Sequence, residues 1–361
     1  MGVTKQWNIF SDITHVPAVL NQKVYPSLNG IRALSVLGVV ISHMTTHYQF
    51  LKGMLFMGYL GVNTFFVLSG FLITSLCIRE KVVSKDISLK NFYIRRALRI
   101  LPVAYLYILV VVILSAIFNL GVSKLNVLSS ALFAANFNYF HKAHFDPDLG
   151  HFWTLAVEEQ FYLMFPILLK KNFKVFVSFI LFILFVVPVI IYLQDSNLLY
   201  EEGLAYALPH YLIKFQAISA GCLLSVLCFK GHLDLGKWKP YISGILIIII
   251  LIVKYDRFTY TTAAIWNNLF ISAMTGLVIV NSIYKSSDLL FKFLNFKLIA
   301  LIGVLSYSIY IWQQLFVSGD GIFPISVYPY NVLFLVTIPC LSYYFYEKPF
   351  LNLKSRFVKV K

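Results

Sequence analysis

The sequence predicts an all-α integral membrane protein: a polytopic helix bundle of about ten transmembrane helices with both termini cytoplasmic. Three observations carry that expectation. The 361 residues are 59% hydrophobic and 17% aromatic but only 12% charged, a composition far more apolar than that of a soluble domain. Apolar stretches of about 20 residues, the length that crosses a bilayer core, recur along nearly the whole chain. All but seven of the 30 lysines and arginines then fall on one set of alternate loops. The opposite loops carry only Lys52, Lys124, Lys142, Lys254 and Arg257, while Arg32 and Lys214 stand at or inside ends of apolar stretches. Cytoplasmic loops collect basic residues, so this pattern orients the chain.

Taken in order, the expected spans are 28–49, 55–78, 98–120, 153–170, 173–193, 209–229, 239–255, 263–284, 298–318 and 328–347, with 124–140 a re-entrant or interfacial helix. One membrane domain, 1–361, is expected, with a cytoplasmic lead-in (1–27), the bundle (28–347) and a cytoplasmic tail (348–361). No cleavable signal peptide is expected, because residues 1–22 lack a continuous apolar core. The net charge of +15 follows from the loop pattern, so membrane lipids are expected partners and nucleic acid is not. Cys77, Cys222, Cys228 and Cys340 all lie in apolar runs without paired spacing and read as buried small hydrophobes.

The first span holds two costly residues. Arg32 stands at its mouth and His43 deep within it, eleven steps further on. Eleven steps of about 100° put both on one face, about 16 Å apart along the axis. The second span carries Gly58, Gly61, Ser69 and Gly70, small residues that let membrane helices approach closely. After it comes a basic loop, Arg79 to Arg99, in which Arg95, Arg96 and Arg99 precede the third apolar stretch. Positive-inside topology accounts for the loop as a whole. Arg96 and Arg99, one turn apart at the expected N-terminus of a helix, would also cradle a phosphate.

The fourth span starts at His151 and Trp153 and buries Glu158 and Glu159 at about the depth of His43. A carboxylate there would either orient His43 as a general base or pair with it as a structural lock between helices. The two glutamates point about 100° apart, so only one faces such a site. His43 and His47 have the spacing of a metal-binding pair, but no third ligand is fixed and no metal site is expected. His141 and His144 read as solvated loop histidines, whereas His151, beside the buried carboxylates, is a candidate on the outer side. Two functions of different class fit these residues: group transfer at His43, or a transporter or flippase using His43, Glu158 and Glu159 as a proton relay.

Six segments together resemble the membrane-bound acyltransferase 3 family. They are Tyr25-Pro26-Ser27-Leu28-Asn29-Gly30-Ile31-Arg32-Ala33-Leu34, with ten residues between Arg32 and His43; Gly61 to Ile73 (GVNTFFVLSGFLI); Arg96-Ala97-Leu98-Arg99; Phe152 to Tyr162 (FWTLAVEEQFY); Ser306 to Trp312 (SYSIYIW); and Tyr346-Glu347-Lys348-Pro349-Phe350. The resemblance covers nearly the whole chain. It implies ten spans and O-acylation of a bacterial surface glycan, such as lipopolysaccharide O-antigen or another cell-envelope polysaccharide, in the bacterial inner membrane. It implies acyl-CoA, acetyl-CoA first, as co-substrate, with no bound cofactor, and a glycan acceptor that is free or lipid-linked. His43 would be the essential residue, as general base or as acyl carrier. Arg32, Arg96 and Arg99, with Arg95 beside them, would contact the donor. Trp153 and Tyr162 would offer stacking surface to the acceptor or else belong to an aromatic belt. Two departures stand out: Gln313 occupies the place where family members often carry a histidine, so no acid–base role is assigned there, and the esterase-like soluble domain that some relatives carry is not expected here.

Overall fold

The computed structural model describes residues 8–22, 25, 27–45, 48–137, 147–199, 203–233, 239–255, 262–285, 287–317 and 328–357. Among them all regular structure is helical. In order the helices are α1 (Leu28–Met44), α2 (Phe56–Ser84), α3 (Leu89–Phe118), α4 (Lys124–Ala131), α5 (Phe152–Lys171), α6 (Phe173–Leu181), α7 (Val187–Asp195) and α8 (Gly203–Leu212). They continue as α9 (Gln216–Phe229), α10 (Lys239–Tyr255), α11 (Thr262–Ser282), α12 (Leu289–Leu294), α13 (Lys297–Trp312), α14 (Gln314–Val317), α15 (Tyr330–Leu341) and α16 (Lys348–Lys354). A π turn, Phe182–Val186, joins α6 to α7, and a second, Ser342–Glu347, joins α15 to α16.

By length and composition, five described segments can cross a membrane: Phe56–Ser84, Leu89–Phe118, Phe173–Asp195, Gly203–Phe229 and Ala264–Ser282. The apolar helices α1 and α13 are shorter, at 17 and 16 residues. This is a helical membrane protein. Several helices begin or end away from the expected spans, and one difference matters for function. The helix expected over 98–120 starts at Leu89, where the Ser88 side chain accepts from the Asn91 amide and caps it. Lysine and arginine are good helix formers, so the basic segment winds into α3 rather than preceding it.

The chain forms two compact units. The first comprises residues 1–32, 63–87 and 163–300. Its α2 and α9 meet through glycine: a Cβ at Gly70 would strike the Ile218 carbonyl oxygen, and one at Gly221 would strike that of Val67. Close by, Ser75 and Ser225 share a hydrogen bond of 2.9 Å. Amide side chains add to the packing, Asn63 donating to Asn268 at 2.7 Å and Asn268 to Gln216 at 2.7 Å. Gly30, in the first turn of α1, lets Leu294 of α12 approach its backbone, which explains the glycine next to Ile31 and Arg32. Arg32 itself is half-buried in this unit.

Close approach of two backbones leaves no room for a branched side chain. Gly221→Leu is therefore expected to prevent folding, whereas Gly244→Ala, with open space around it, should be tolerated. Membrane yield and monodispersity of the two variants check this; comparable behaviour would contradict the packing.

The second unit comprises residues 33–62, 88–162 and 301–361. Here α1 and the start of α2 pack through Gly38, Gly58 and Gly61, which face Met57, Ser42 and Ser35 respectively. Tyr107 of α3 is completely buried and donates to the Asp148 carbonyl at 2.7 Å, fastening the turn that leads into α5.

Candidate functional site

Two polar groups stand out in the second unit. The first surrounds His43, near the C-terminal end of α1. Its Nδ1 lies 2.9 Å from Oε1 of Gln313, the residue between α13 and α14. The other end of that amide, Nε2, donates to Oε1 of Gln314 at 3.3 Å. An amide oxygen only accepts, so Nδ1 carries the proton and the basic lone pair resides on Nε2. The role expected of an inward-facing glutamate, orienting His43, is thus filled by a neutral side chain at a position where no acid–base role was expected.

His151 sits just ahead of α5 and is 4% exposed. Its ring packs edge-on to Tyr107 and Tyr310, with centroids 5.2 and 5.7 Å away, and against Phe152 at 4.9 Å. The backbone of Ile311 approaches it, yet neither ring nitrogen has a partner at hydrogen-bonding geometry among the described residues. Burial, followed by the neighbouring charge of His43, pushes its pKa down to about 3, so this imidazole is neutral at physiological pH. The Thr154 and Tyr310 hydroxyls share a hydrogen bond of 2.5 Å, and both reach the His151 carbonyl, at 2.9 and 3.4 Å. Trp312 packs edge-on to Tyr107 at 5.5 Å, and its buried indole N–H has no partner among the described residues. Buried polar atoms without partners are rare, and in a membrane bundle they mark positions that a ligand or water completes.

The second group gathers the arginines and the carboxylates. The Arg96 guanidinium stands 4.5 Å over the Tyr162 ring, so Tyr162, expected on the acceptor side, lies with an arginine of the expected donor set. Arg99 interacts electrostatically with Arg96, Glu347, Tyr162 and Glu158. Glu159 interacts with Arg96 and Glu158, and its Oε1 is buried without a hydrogen-bond partner among the described residues. Glu158 and Glu159 therefore belong with the arginines. Glu347, at the end of the second π turn, is 4% exposed and accepts from the Ser308 hydroxyl.

Arg95 points to a different task, donating to the Phe357 carbonyl at 2.7 Å and tying down the C-terminal turn. Because α3 starts at Leu89, Arg96 and Arg99 lie about two and about three turns inside the helix. The free amides of a helix N-terminus, expected as part of a phosphate cradle, are absent there. Trp153 is 40% exposed on α5. His47, His141 and His144 lie outside the described residues.

Sequence reasoning noted Gln313 only as a departure without an acid–base role and Glu347 only as part of a motif, and assigned neither to the site. Both had a visible signal: Gln313-Gln314 interrupts an apolar run, and Glu347 ends one, so each is a polar group that lipid penalises.

Comparisons with known proteins agree with this architecture. The family profile described as Acyltransferase domain matches residues 25–346. A Staphylococcus aureus (strain COL) protein named "Putative O-acetyltransferase SACOL0978" is 32% identical over 355 residues, covering 90% of this chain and 57% of its own length. O-acetyltransferase OatA of S. aureus (strain NCTC 8325) is 30% identical over 375 residues, covering 94% of this chain and 59% of its own. This chain thus spans somewhat more than half the length of these relatives. No solved structure matches it. With the profile covering most of the chain and five of the six motif segments standing in order inside it, the protein belongs to the acyltransferase 3 family.

Proposed function

We propose that this chain is an O-acyltransferase of the bacterial cytoplasmic membrane. It moves an acetyl group from cytoplasmic acetyl-CoA to a hydroxyl of a surface glycan, lipopolysaccharide O-antigen or another cell-envelope polysaccharide, with no bound cofactor. The observation that supports this reading is the hydrogen bond between His43 Nδ1 and Gln313, which leaves the basic lone pair on Nε2 of a histidine that also interacts electrostatically with the buried His151. Family membership supports it.

Two routes use the same nitrogen. As a general base, Nε2 takes the proton of the acceptor hydroxyl while its oxygen attacks the thioester carbonyl; the C–S bond breaks, and the departing thiolate receives the proton. As a nucleophile, Nε2 attacks the thioester carbonyl and the C–S bond breaks, releasing the CoA thiolate; the sugar hydroxyl then attacks the acyl-imidazole, the C–N bond breaks, and the hydroxyl proton balances the charge of the released thiolate, leaving a neutral imidazole. In either route oxyanion charge develops on the carbonyl oxygen, and the Trp312 N–H is a donor suited to it. Neutral His151 and exposed Trp153 are assigned to the acceptor. Arg96 and Arg99 are assigned to the donor phosphates, and Arg32 keeps the donor contact implied by the family.

Membranes containing this chain, supplied with labelled acetyl-CoA, should place base-labile label in the glycan fraction. Glycan movement without any acetyl-CoA requirement would instead support a transporter. Arg96→Ala should raise the acetyl-CoA concentration for half-maximal rate about tenfold or more, the effect of losing a charge-assisted hydrogen bond. An unchanged value would mean that Arg96 serves only its stack on Tyr162.

A further inference from the structure

We infer that Gln313 is the positioning residue of the His43 site: its amide selects the reactive tautomer of the imidazole, and its neutrality sets the pH at which that imidazole works. The inference rests on the proposed role of His43. Gln313 is 0% exposed and its backbone is held on both sides. Its own amide closes α13 on the Ile309 carbonyl at 2.9 Å, while its carbonyl accepts from Phe316 and Val317 at 2.9 and 3.0 Å and so starts α14. A side chain anchored at such a helix break has little freedom to follow a moving ring. The amide itself is also oriented, because Gln314 takes its N–H and leaves its oxygen toward His43.

The choice of amide over carboxylate has a chemical consequence. Both accept from Nδ1–H and both set the same tautomer. Only the carboxylate adds a negative charge that stabilises the imidazolium. Compared with a carboxylate, glutamine favours the neutral imidazole, which is the protonation state that either route needs. Among the described residues, one titratable neighbour whose charge interacts with that of His43 is His151, itself neutral and walled by Tyr107, Phe152 and Tyr310. Gln313 is therefore a substitution point from which a formal charge can be brought directly onto Nδ1 of His43 without altering the ring.

The test uses the full chain in native membranes, with Gln313→Glu, Gln313→Ala and His43→Ala beside the parent. Acetyl transfer is measured against pH. In parallel, carbethoxylation of His43 by diethyl pyrocarbonate, quantified by mass spectrometry, reports the protonation of that imidazole whether or not transfer occurs. Gln313→Glu is nearly isosteric and is expected to shift both the labelling midpoint and the acid limb of the rate profile upward by about one unit or more. The sign follows from a raised imidazole pKa: the neutral form then appears only at higher pH. Gln313→Ala is expected to lower the maximal rate about tenfold or more with little change in the acetyl-CoA concentration for half-maximal rate. Labelling and rate profiles that stay in place in Gln313→Glu would overturn the inference. A shifted labelling profile together with full transfer by His43→Ala would uphold the hydrogen bond but overturn the catalytic reading beneath it.

Discussion

His43→Ala is expected to abolish acetyl transfer to the glycan fraction, a loss on the order of 100-fold to 10,000-fold for removal of a general base and larger still if the imidazole carries the acyl group. The protein should still accumulate in the membrane. His43 is only half-buried, at the end of α1, and the helix around it packs through Gly38 and Ser42 rather than through the imidazole. Immunoblotting of membranes alongside the transfer assay separates lost chemistry from lost protein. Full activity in the variant would remove His43 from the mechanism. His43→Gln is a useful companion, since it preserves a polar side chain of similar reach while supplying no basic nitrogen.

Glu347→Ala should have the other large effect, on stability. Glu347 is almost fully buried, accepts from Ser308, and interacts electrostatically with Arg99. Removing one member of a buried ionic group leaves the other charge uncompensated, at a cost of about 3–5 kcal/mol. The four free cysteines, Cys77, Cys222, Cys228 and Cys340, supply the readout. They are wholly or largely shielded in the folded chain, so a thiol-reactive fluorophore reports unfolding on heating. Glu347→Ala should melt well below the parent, and Arg99→Met added to it should restore part of the loss by removing the stranded cation. A double variant no more stable than the single one would show that Arg99 is compensated elsewhere, with Glu158 the next candidate.

A structural role for part of the arginine cluster also refines how donor binding can be tested. Arg95 holds the Phe357 carbonyl and Arg99 answers Glu347, so substitutions there mix folding with binding. Arg96, stacked on Tyr162, is the arginine from which donor affinity can be read with the least interference.

The helical membrane class was legible in the sequence because it follows from quantities that need no partner: apolar length, the sidedness of basic residues, and small residues where helices touch. Gly70 and the α2–α9 contact illustrate the last. His43 and the two glutamates were also legible as costly residues in apolar surroundings. Their pairings were not. Depth along two helices can be counted from sequence, but the azimuth at which each helix faces its neighbours is set by packing, and a rotation of about 100° exchanges one residue for the next. Glu158 and Glu159 fell among the arginines; the imidazole met an amide from a helix break some 270 residues further along the chain. Helix starts were hidden for a related reason, since Ser88 caps α3 ahead of the lysines and arginines that hydropathy reads as loop. The sequence by itself determined that this is a helical membrane protein with a histidine in an apolar helix, a costly position in lipid. Which side chain holds that histidine, and which charges neutralise one another, only the tertiary structure decided, because those depend on where distant helices place their faces.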